Sequence, residues 1–534
     1  MTVFDRLRDH ARERPEALAF SFWHNGELRE TCTYEILLAD VEGIAGVLAA
    51  QGVRPGQRVV LVLPNDLTFV RALLACVAIG AIAVPAPTPL VSRTAAFQER
   101  LSRIVSDCTP ELVVAPREWF TRIGDHIGPA RVVAAEDLGE GAFSRATHPV
   151  AFLQYTSGST SAPRGVVVTH ESITVSCEQA AEVYRETTDD VAVTWVPLYH
   201  DMGLVTGVLR PLHTGYHSVL MSPDEFVRAP ASWLDALAHC GGTLTSAPNF
   251  AYDLCVRKVD AAAVAQWDLS RWRVARNAGE VVSAATLSTF SRHFAAARFS
   301  SDAMCPSYGL AEATLTVTSS PPGDQPVTAT LDAASMEAGL VVLAEDGRVV
   351  VSSGRPLRGT EVTIDAEDGR HIGEIIISGG QLSPGYWPMP DRGSAVRRTG
   401  DLGFLLGDQL FILGRIDDVL VTRGRKFYLA DIAAACRDVT GIRPGRFAVV
   451  GLPESADVVM VAEVSGSQER ARLEALAGEV TAKITRALQL PLTAVGFVAA
   501  GALPVTTSGK VRISAVRRAF VSGRLPLLHL THHR

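Results

Sequence analysis

The chain has little of what marks a secreted, nucleic-acid-binding or membrane-spanning protein. Its eight cysteines stand at 32, 76, 108, 177, 240, 255, 305 and 436, and no two are closer than 15 residues (240 and 255). That spacing excludes a CxxC zinc or redox site and a disulfide framework. Isolated cysteines of this kind are usually small buried hydrophobes in a reducing compartment. There is no basic excess: 50 Lys and Arg oppose 57 Asp and Glu, for a net charge of −7, which argues against nucleic acid as a partner. Residues 1–14 are charged throughout and lack the apolar core of a signal peptide. The one long charge-free run, 72–91, is broken by Gly80, Pro85, Pro87 and Pro89. It reads as a buried helix over 69–79, a strand over 81–84 and a Pro-rich turn, not as a membrane span. A cytoplasmic protein with no stable membrane insertion is expected. Repeats and low-complexity segments are also lacking.

What is present is a globular composition, 47% hydrophobic and 20% charged, with enough apolar residue for a large core. Over the first 320 residues strand-like runs (58–63, 111–114, 150–153, 191–196, 298–300) alternate with helix-like runs. That alternation predicts α/β layers with largely parallel strands. From about 339 to 411 short β-rich runs (349–351, 361–364, 374–377) are broken by Gly and Pro, which predicts a smaller β subdomain. After Gly414 the mixture of helix and strand resumes over a length sufficient for a separate domain.

The most informative stretch follows the apolar run 150–153. Thr156, Ser157, Gly158, Ser159 and Thr160 form a row of small hydroxyl and glycine residues, followed by Ser161, Pro163, Arg164 and a second apolar run, 166–168. Strand, loop and strand in this order offer backbone N–H groups and hydroxyls to an anion, typically a phosphate. Taken alone, the loop is equally readable as a solvated turn. Five further segments bear on the choice: 195–204 with Tyr199-His200-Asp201, 277–280 (Asn-Ala-Gly-Glu), 307–312 (Ser-Tyr-Gly-Leu-Ala-Glu), Thr399-Gly400-Asp401 with Arg415-Ile416-Asp417-Asp418, and 504–510 ending in Lys510. Each alone is readable as a turn, a structural histidine or a solvated lysine.

In this order the segments resemble the adenylate-forming acyl and aryl ligases over 4–518. The runs 199–204, 247–255 and 308–315 are most similar to the fatty acyl-AMP ligases. The resemblance implies an adenylation core at 1–414, a hinge at 415–418 about Asp417, and a mobile α+β lid at 419–534. It implies ATP-dependent conversion of a fatty acid to acyl-AMP with loss of pyrophosphate. Transfer to the phosphopantetheine thiol of an acyl carrier protein would follow; transfer to coenzyme A is the alternative. A silent acyl- or nucleotide-binding protein is a third reading, against which the joint presence of Glu312, Asp401, Arg415 and Lys510 speaks.

Carried over from the family, Thr156 to Thr160 hold the β- and γ-phosphates, with Arg164 beside them. Gly279 and Glu280 border the adenine, and Ser307, Tyr308 and Gly309 lie near the base and α-phosphate. Glu312 binds Mg²⁺, Asp401 accepts from the ribose hydroxyls, and Arg415 donates to ribose or phosphate. Lys510 bridges the carboxylate and the α-phosphate. His200 gates an acyl pocket along which Asn249 and Phe250 lie. The chain departs from the pattern at Ser161, where most of the superfamily has Gly, and at Arg164, where many members have Lys. It departs again in Asn-Ala-Gly-Glu, in place of Asn-Gly-Ala-Glu, and in a short stretch between 387 and 399. The segment 354–374 is where an insertion excluding coenzyme A is expected. Five arginines and one lysine with no acid over 510–534 form a strip able to steer an acidic carrier, or simply a basic tail.

Overall fold

The runs Arg58–Leu61, Ile82–Pro85 and Leu112–Ala115 are apolar on both faces almost throughout, the pattern of strands covered from both sides. In a computed structural model, which describes residues 1–89, 94–156, 163–388, 396–422, 425–452, 457–466, 469–505 and 511–533, they pair in parallel. They belong to a six-stranded sheet that ends in the antiparallel hairpin of Val150–Tyr155 with Gly165–Thr169. The charge-free run folds as read: helix Leu67–Ala78 is buried at nearly every position and leads into strand Ile82–Pro85.

A second sheet has nine strands. Its centre is parallel and ordered Met304–Leu310, Val274–Asn277, Leu244–Ala247, Val191–Thr194, His217–Met221, Leu18–His24. In such sheets ligands collect at the carboxyl ends of the strands, and 199–204, 247–255, 277–280 and 307–312 all sit there. The strand expected at 298–300 is absent. Arg298 takes a left-handed φ of 63° and Ser300 caps the short turn Ser301–Ala303 by accepting from the Asp302 N–H, so the strand begins only at Met304.

The β-rich region is wider than 339–411. It opens with the pair Thr328–Leu331 and Arg348–Val351 and closes with an antiparallel four-stranded sheet, Thr360–Asp365, Gly373–Gly379, Val396–Leu406 and Gln409–Arg415. Beyond it, strands Ile442–Gly451, Val458–Val464, Ala494–Val498 and Leu527–His532 form another sheet. Helix Arg470–Leu488 packs there with its own apolar core, including Ile432, Met460, Val480 and Phe497. No helix among the described residues is long and apolar enough to cross a membrane.

Candidate active site

Strands Val150–Tyr155 and Gly165–Thr169 bring Thr156 and Arg164, the described ends of the phosphate-loop candidate, side by side. Thr156 donates its N–H to the Arg164 carbonyl (3.3 Å). Ser157, Gly158, Ser159 and Thr160 lie outside the described residues, as do Ser161 and Lys510. The segment around Tyr386 adds to the hairpin as a further strand-like edge: Val167 N–H donates to the Gly385 carbonyl (3.0 Å) and Trp387 N–H to the Gly165 carbonyl (2.8 Å). This addition aims Tyr386 at the loop. The Arg164 guanidinium lies 3.9 Å from its ring centre and that of Arg397 lies 5.4 Å away, distances at which a cation is held by the ring face. The Tyr386 hydroxyl donates to Glu312 Oε1 (2.6 Å). Burial, and then the carboxylate of Glu312, push this phenol up to about 12, so it stays a donor at neutral pH.

Glu312 is half-buried on the short turn Ala311–Ala313, directly after strand Met304–Leu310. Mg²⁺ in phosphoryl-transfer sites is usually held by one or two carboxylates and by substrate phosphates, not by an all-protein cage. A single carboxylate near the described ends of the hairpin, with one oxygen fixed by Tyr386, fits that donor set.

Among the residues expected at the nucleotide, the Tyr308 hydroxyl donates to Asp401 Oδ2 (2.6 Å) and Arg415 Nε lies 3.6 Å from Asp401 Oδ1. Asp401 and Arg415 face each other across paired strands. Burial, reinforced by Asp401, raises the Tyr308 phenol well above its ordinary range, so it too remains protonated. Two glycines are required here. A Cβ at Gly309 would overlap the Leu315 carbonyl, and Gly400 has φ 72° with Arg415 Nη2 2.8 Å from where its Cβ would stand. Gly279 is exposed at the end of strand Val274–Asn277. Glu280 reaches back to accept the Phe250 N–H (3.0 Å), one of the free donors at the start of helix Asn249–Lys258. Ser307 turns inward: its hydroxyl is buried with those of Tyr184 (3.0 Å) and Ser319 (2.7 Å), so only its backbone is free to border a ligand.

His200 caps a helix that begins at Asp201, and its Nδ1 is 2.5 Å from Asp201 Oδ1. Burial alone would raise the Asp201 carboxyl, but His200, the Met202 N–H and the charge of Arg276 together lower it below its ordinary value. Asn249 is a structural knot: its Oδ1 accepts from Asn277 Nδ2 and the Ser283 N–H (both 3.2 Å), and its Nδ2 donates to Thr286 (3.2 Å). It fixes the walls between two strand ends. Phe250 packs edge-on against Trp195, centroids 6.2 Å apart. Asp417 is exposed on the turn Ile416–Asp418, between the β region and the C-terminal sheet.

Sequence reading missed two groups. Tyr386 is one. The other is Arg100, whose Nη2 donates to the Tyr155 carbonyl (3.3 Å), one residue before Thr156, while its Nε is buried without a hydrogen-bond partner. Burial, with Arg512 adding like charge, lowers Arg100 to about 10. Arg100 and Arg164, neither in an ion pair among the described residues, thus lie at the two strand ends of the hairpin, a setting that favours an anion. The only sequence signal of Arg100 is charge, which surface arginines share.

Residues 7–387 match the AMP-binding enzyme family. The chain is 32% identical over 567 residues to the medium-chain-fatty-acid–[acyl-carrier-protein] ligase JamA of Moorena producens, covering 98% of this chain and 96% of JamA. It is 32% identical over 569 residues to FadD21 of Mycobacterium tuberculosis, described as a putative fatty-acid–CoA ligase, with 96% and 97% covered. A solved chain from work on the fatty acyl-adenylate ligases of E. coli and L. pneumophila superposes with a TM-score of 0.91 at 29% identity, covering 98% of each chain.

Proposed function

The chain belongs to the AMP-binding enzyme family and groups with its fatty acyl-AMP ligases; from that premise we propose which residues do the work and which thiol the enzyme serves. It adenylates a fatty acid with ATP. The acyl group then passes to the phosphopantetheine thiol of an acyl carrier protein.

The acid is already ionised at neutral pH, since carboxylic acids titrate near pH ~4–5, so no general base is needed. A carboxylate oxygen attacks the α-phosphorus, the bond to the β-phosphate oxygen breaks, and pyrophosphate leaves with its electron pair. The barrier is one of bringing anion to polyanion, and catalysis is positioning and charge compensation. Arg164, stacked on Tyr386, and the half-buried Arg100 offset phosphate charge. Glu312, fixed by Tyr386, holds Mg²⁺, which when bound neutralises part of that charge. Asp401 and Arg415 take the ribose. Lys510 bridges the two reacting anions and leaves with the lid, which swings about Asp417 before thiol attack on the acyl carbonyl expels AMP. His200 and Phe250 border the acid.

The observation that carries the adenylating assignment is the convergence of Arg164, Tyr386 and Glu312 on the mouth of the hairpin loop. The carrier-protein acceptor is supported by the full-length likeness to JamA. The exposed Arg517, Arg518 and Arg524 suit an acidic partner. The test supplies ATP, a fatty acid and either holo-carrier protein or coenzyme A. Acyl-carrier formation with little acyl-CoA is expected. Acyl-CoA formation at a comparable rate overturns the acceptor assignment, and failure of every acid to support pyrophosphate exchange overturns adenylation itself.

A further inference from the structure

The strand Val458–Val464 is buried at every position and lies between Ile442–Gly451 and Ala494–Val498 in the C-terminal sheet. Every residue in it is apolar except Glu463, which is 1% exposed. A carboxylate is held at such depth only where its oxygens are paired. Oε2 meets Arg443 Nη1 (2.6 Å) on the neighbouring strand, and Oε1 accepts the Leu503 N–H (3.1 Å). The mechanism above makes no use of this acid.

Leu503 matters because of where the chain goes next. Glu463 stands opposite Val498, the last residue of strand Ala494–Val498. The Leu503 N–H lies beyond that ladder, and the Glu463 carboxylate serves as its acceptor. The carbonyl of the next residue, Pro504, accepts the Arg512 N–H (2.9 Å), and Val505 bridges to Val511. These contacts join the two ends of the span 506–510, whose last residue is Lys510. The Leu503 side chain is 3% exposed, in one apolar cluster with Val450, Val461 and Val516. The base of the span is thus fixed by a side chain and, through Glu463, by its main chain. A lysine is a mobile cation on a flexible stem, so its reach depends on the main chain it grows from. A misplacement of about 1 Å can cost about a hundredfold in rate.

We propose that Glu463 is a positioning residue for adenylation: its carboxylate holds the main chain at Leu503 and so fixes the base from which Lys510 bridges the fatty acid carboxylate and the α-phosphate. It touches neither substrate and acts through Lys510. The proposal rests on the assignment of Lys510 to the adenylating step and names the residue that supports it.

The test follows the two half-reactions of the full-length enzyme separately. One is fatty-acid-dependent ATP–pyrophosphate exchange; the other is acyl transfer from preformed acyl-adenylate to whichever thiol, holo-carrier protein or coenzyme A, is accepted. Glu463→Met keeps the length of the side chain and removes the acceptor. It is expected to lower kcat for exchange about tenfold, the effect of one lost hydrogen bond to a charged acceptor, and to leave acyl transfer within about twofold. Glu463→Gln still offers an oxygen to the Leu503 N–H and is expected to restore most of the exchange. In a Lys510→Ala background Glu463→Met is expected to add no further loss, because residues that act as a unit are not additive. Equal loss in both half-reactions, Glu463→Gln no better than Glu463→Met, or a full further loss in the Lys510→Ala background overturns the proposal and leaves Glu463 a structural partner of Arg443. Where Glu463→Met does not fold, Glu463→Asp, one methylene shorter, decides: a loss confined to exchange supports the proposal, and no loss or a loss shared by both half-reactions overturns it. Lys510→Ala alone separates two failures. If it cripples exchange while Glu463→Met does not, this inference falls and the assignment of Lys510 stands; if it spares exchange, both fall.

Discussion

Tyr386 ties together three groups that chemistry at a phosphate needs in one place: a guanidinium on its ring, a carboxylate on its hydroxyl and the edge of the loop hairpin beneath it. Removing only the hydroxyl separates these roles. In Tyr386→Phe the ring still holds Arg164, but Glu312 loses a hydrogen bond of the charged kind, worth ~1.5–3 kcal/mol. The rate of fatty-acid-dependent pyrophosphate exchange is expected to fall about tenfold or more. The Mg²⁺ concentration for half-maximal rate is expected to rise, and the melting temperature to change little. An unaltered Mg²⁺ dependence rules out a positioning role. This residue was invisible in sequence for a physical reason. Its link to Glu312 spans 74 positions and exists only because a strand edge brings them together. Glu312, Asp401 and Arg415 were singled out only through the resemblance carried by their motifs in order; the structure sets Asp401 opposite Arg415 and Glu312 against Tyr386. Ser307 was legible as a position, but its side chain faces the hydroxyls of Tyr184 and Ser319, an orientation that no local pattern announces.

Among the elements, the parallel strands were readable because both faces are buried and the runs are continuously apolar. The false strand at 298–300 failed where capping overrode β propensity: Ser300 serves the Ser301–Ala303 turn. The strand Val396–Leu406 shows how an element sets a site. Gly400 adopts φ 72° just before Asp401, and the register shifts between Leu402 and Gly403. That irregular stretch brings Asp401 opposite Arg415. Gly400→Ala forces a side chain into a left-handed conformation, at a cost of roughly 1–2 kcal/mol, and presses on Arg415 Nη2. The melting temperature is expected to drop by a few degrees, by about 2–4 °C per kcal/mol at most for a chain this long. KM for ATP is expected to rise more than KM for the fatty acid. Equal changes in both constants would place the defect in the fold and not at the ribose contact.

The whole molecule adds a contact between the C-terminal part and the core that no sequence pattern foretells. Arg425 makes a two-pronged bond to Glu337 (2.7 and 2.6 Å), 88 positions away. Arg437 donates to Ser283 Oγ (2.7 Å), the residue whose N–H binds Asn249. Between them, Arg348 Nε meets Asp431 Oδ1 (2.7 Å) and its guanidinium stacks 4.8 Å from the Tyr428 ring centre. Arg425 and Glu337 are partly exposed and are screened by salt. Asp431 behaves differently: burial raises its carboxyl to about 6, although Arg348 pulls it down. A carboxyl whose pKa is raised in the docked state favours docking when protonated. Its contribution is complete below its ordinary pKa of ~3.9 and fades as pH rises through about 6. The C-terminal part is therefore expected to hold the core more tightly at about pH 5 than at about pH 8. Resonance energy transfer between a dye on the core and one on the exposed Arg470 face would report it. Asp431→Asn, which keeps the shape and cannot ionise, is expected to flatten the profile. A profile equally steep in Asp431→Asn assigns the pH dependence to another group and removes Asp431 from the docking contact. A flat profile in the wild type removes the partly buried Asp431 carboxyl as a pH-sensitive element of the contact with Arg348.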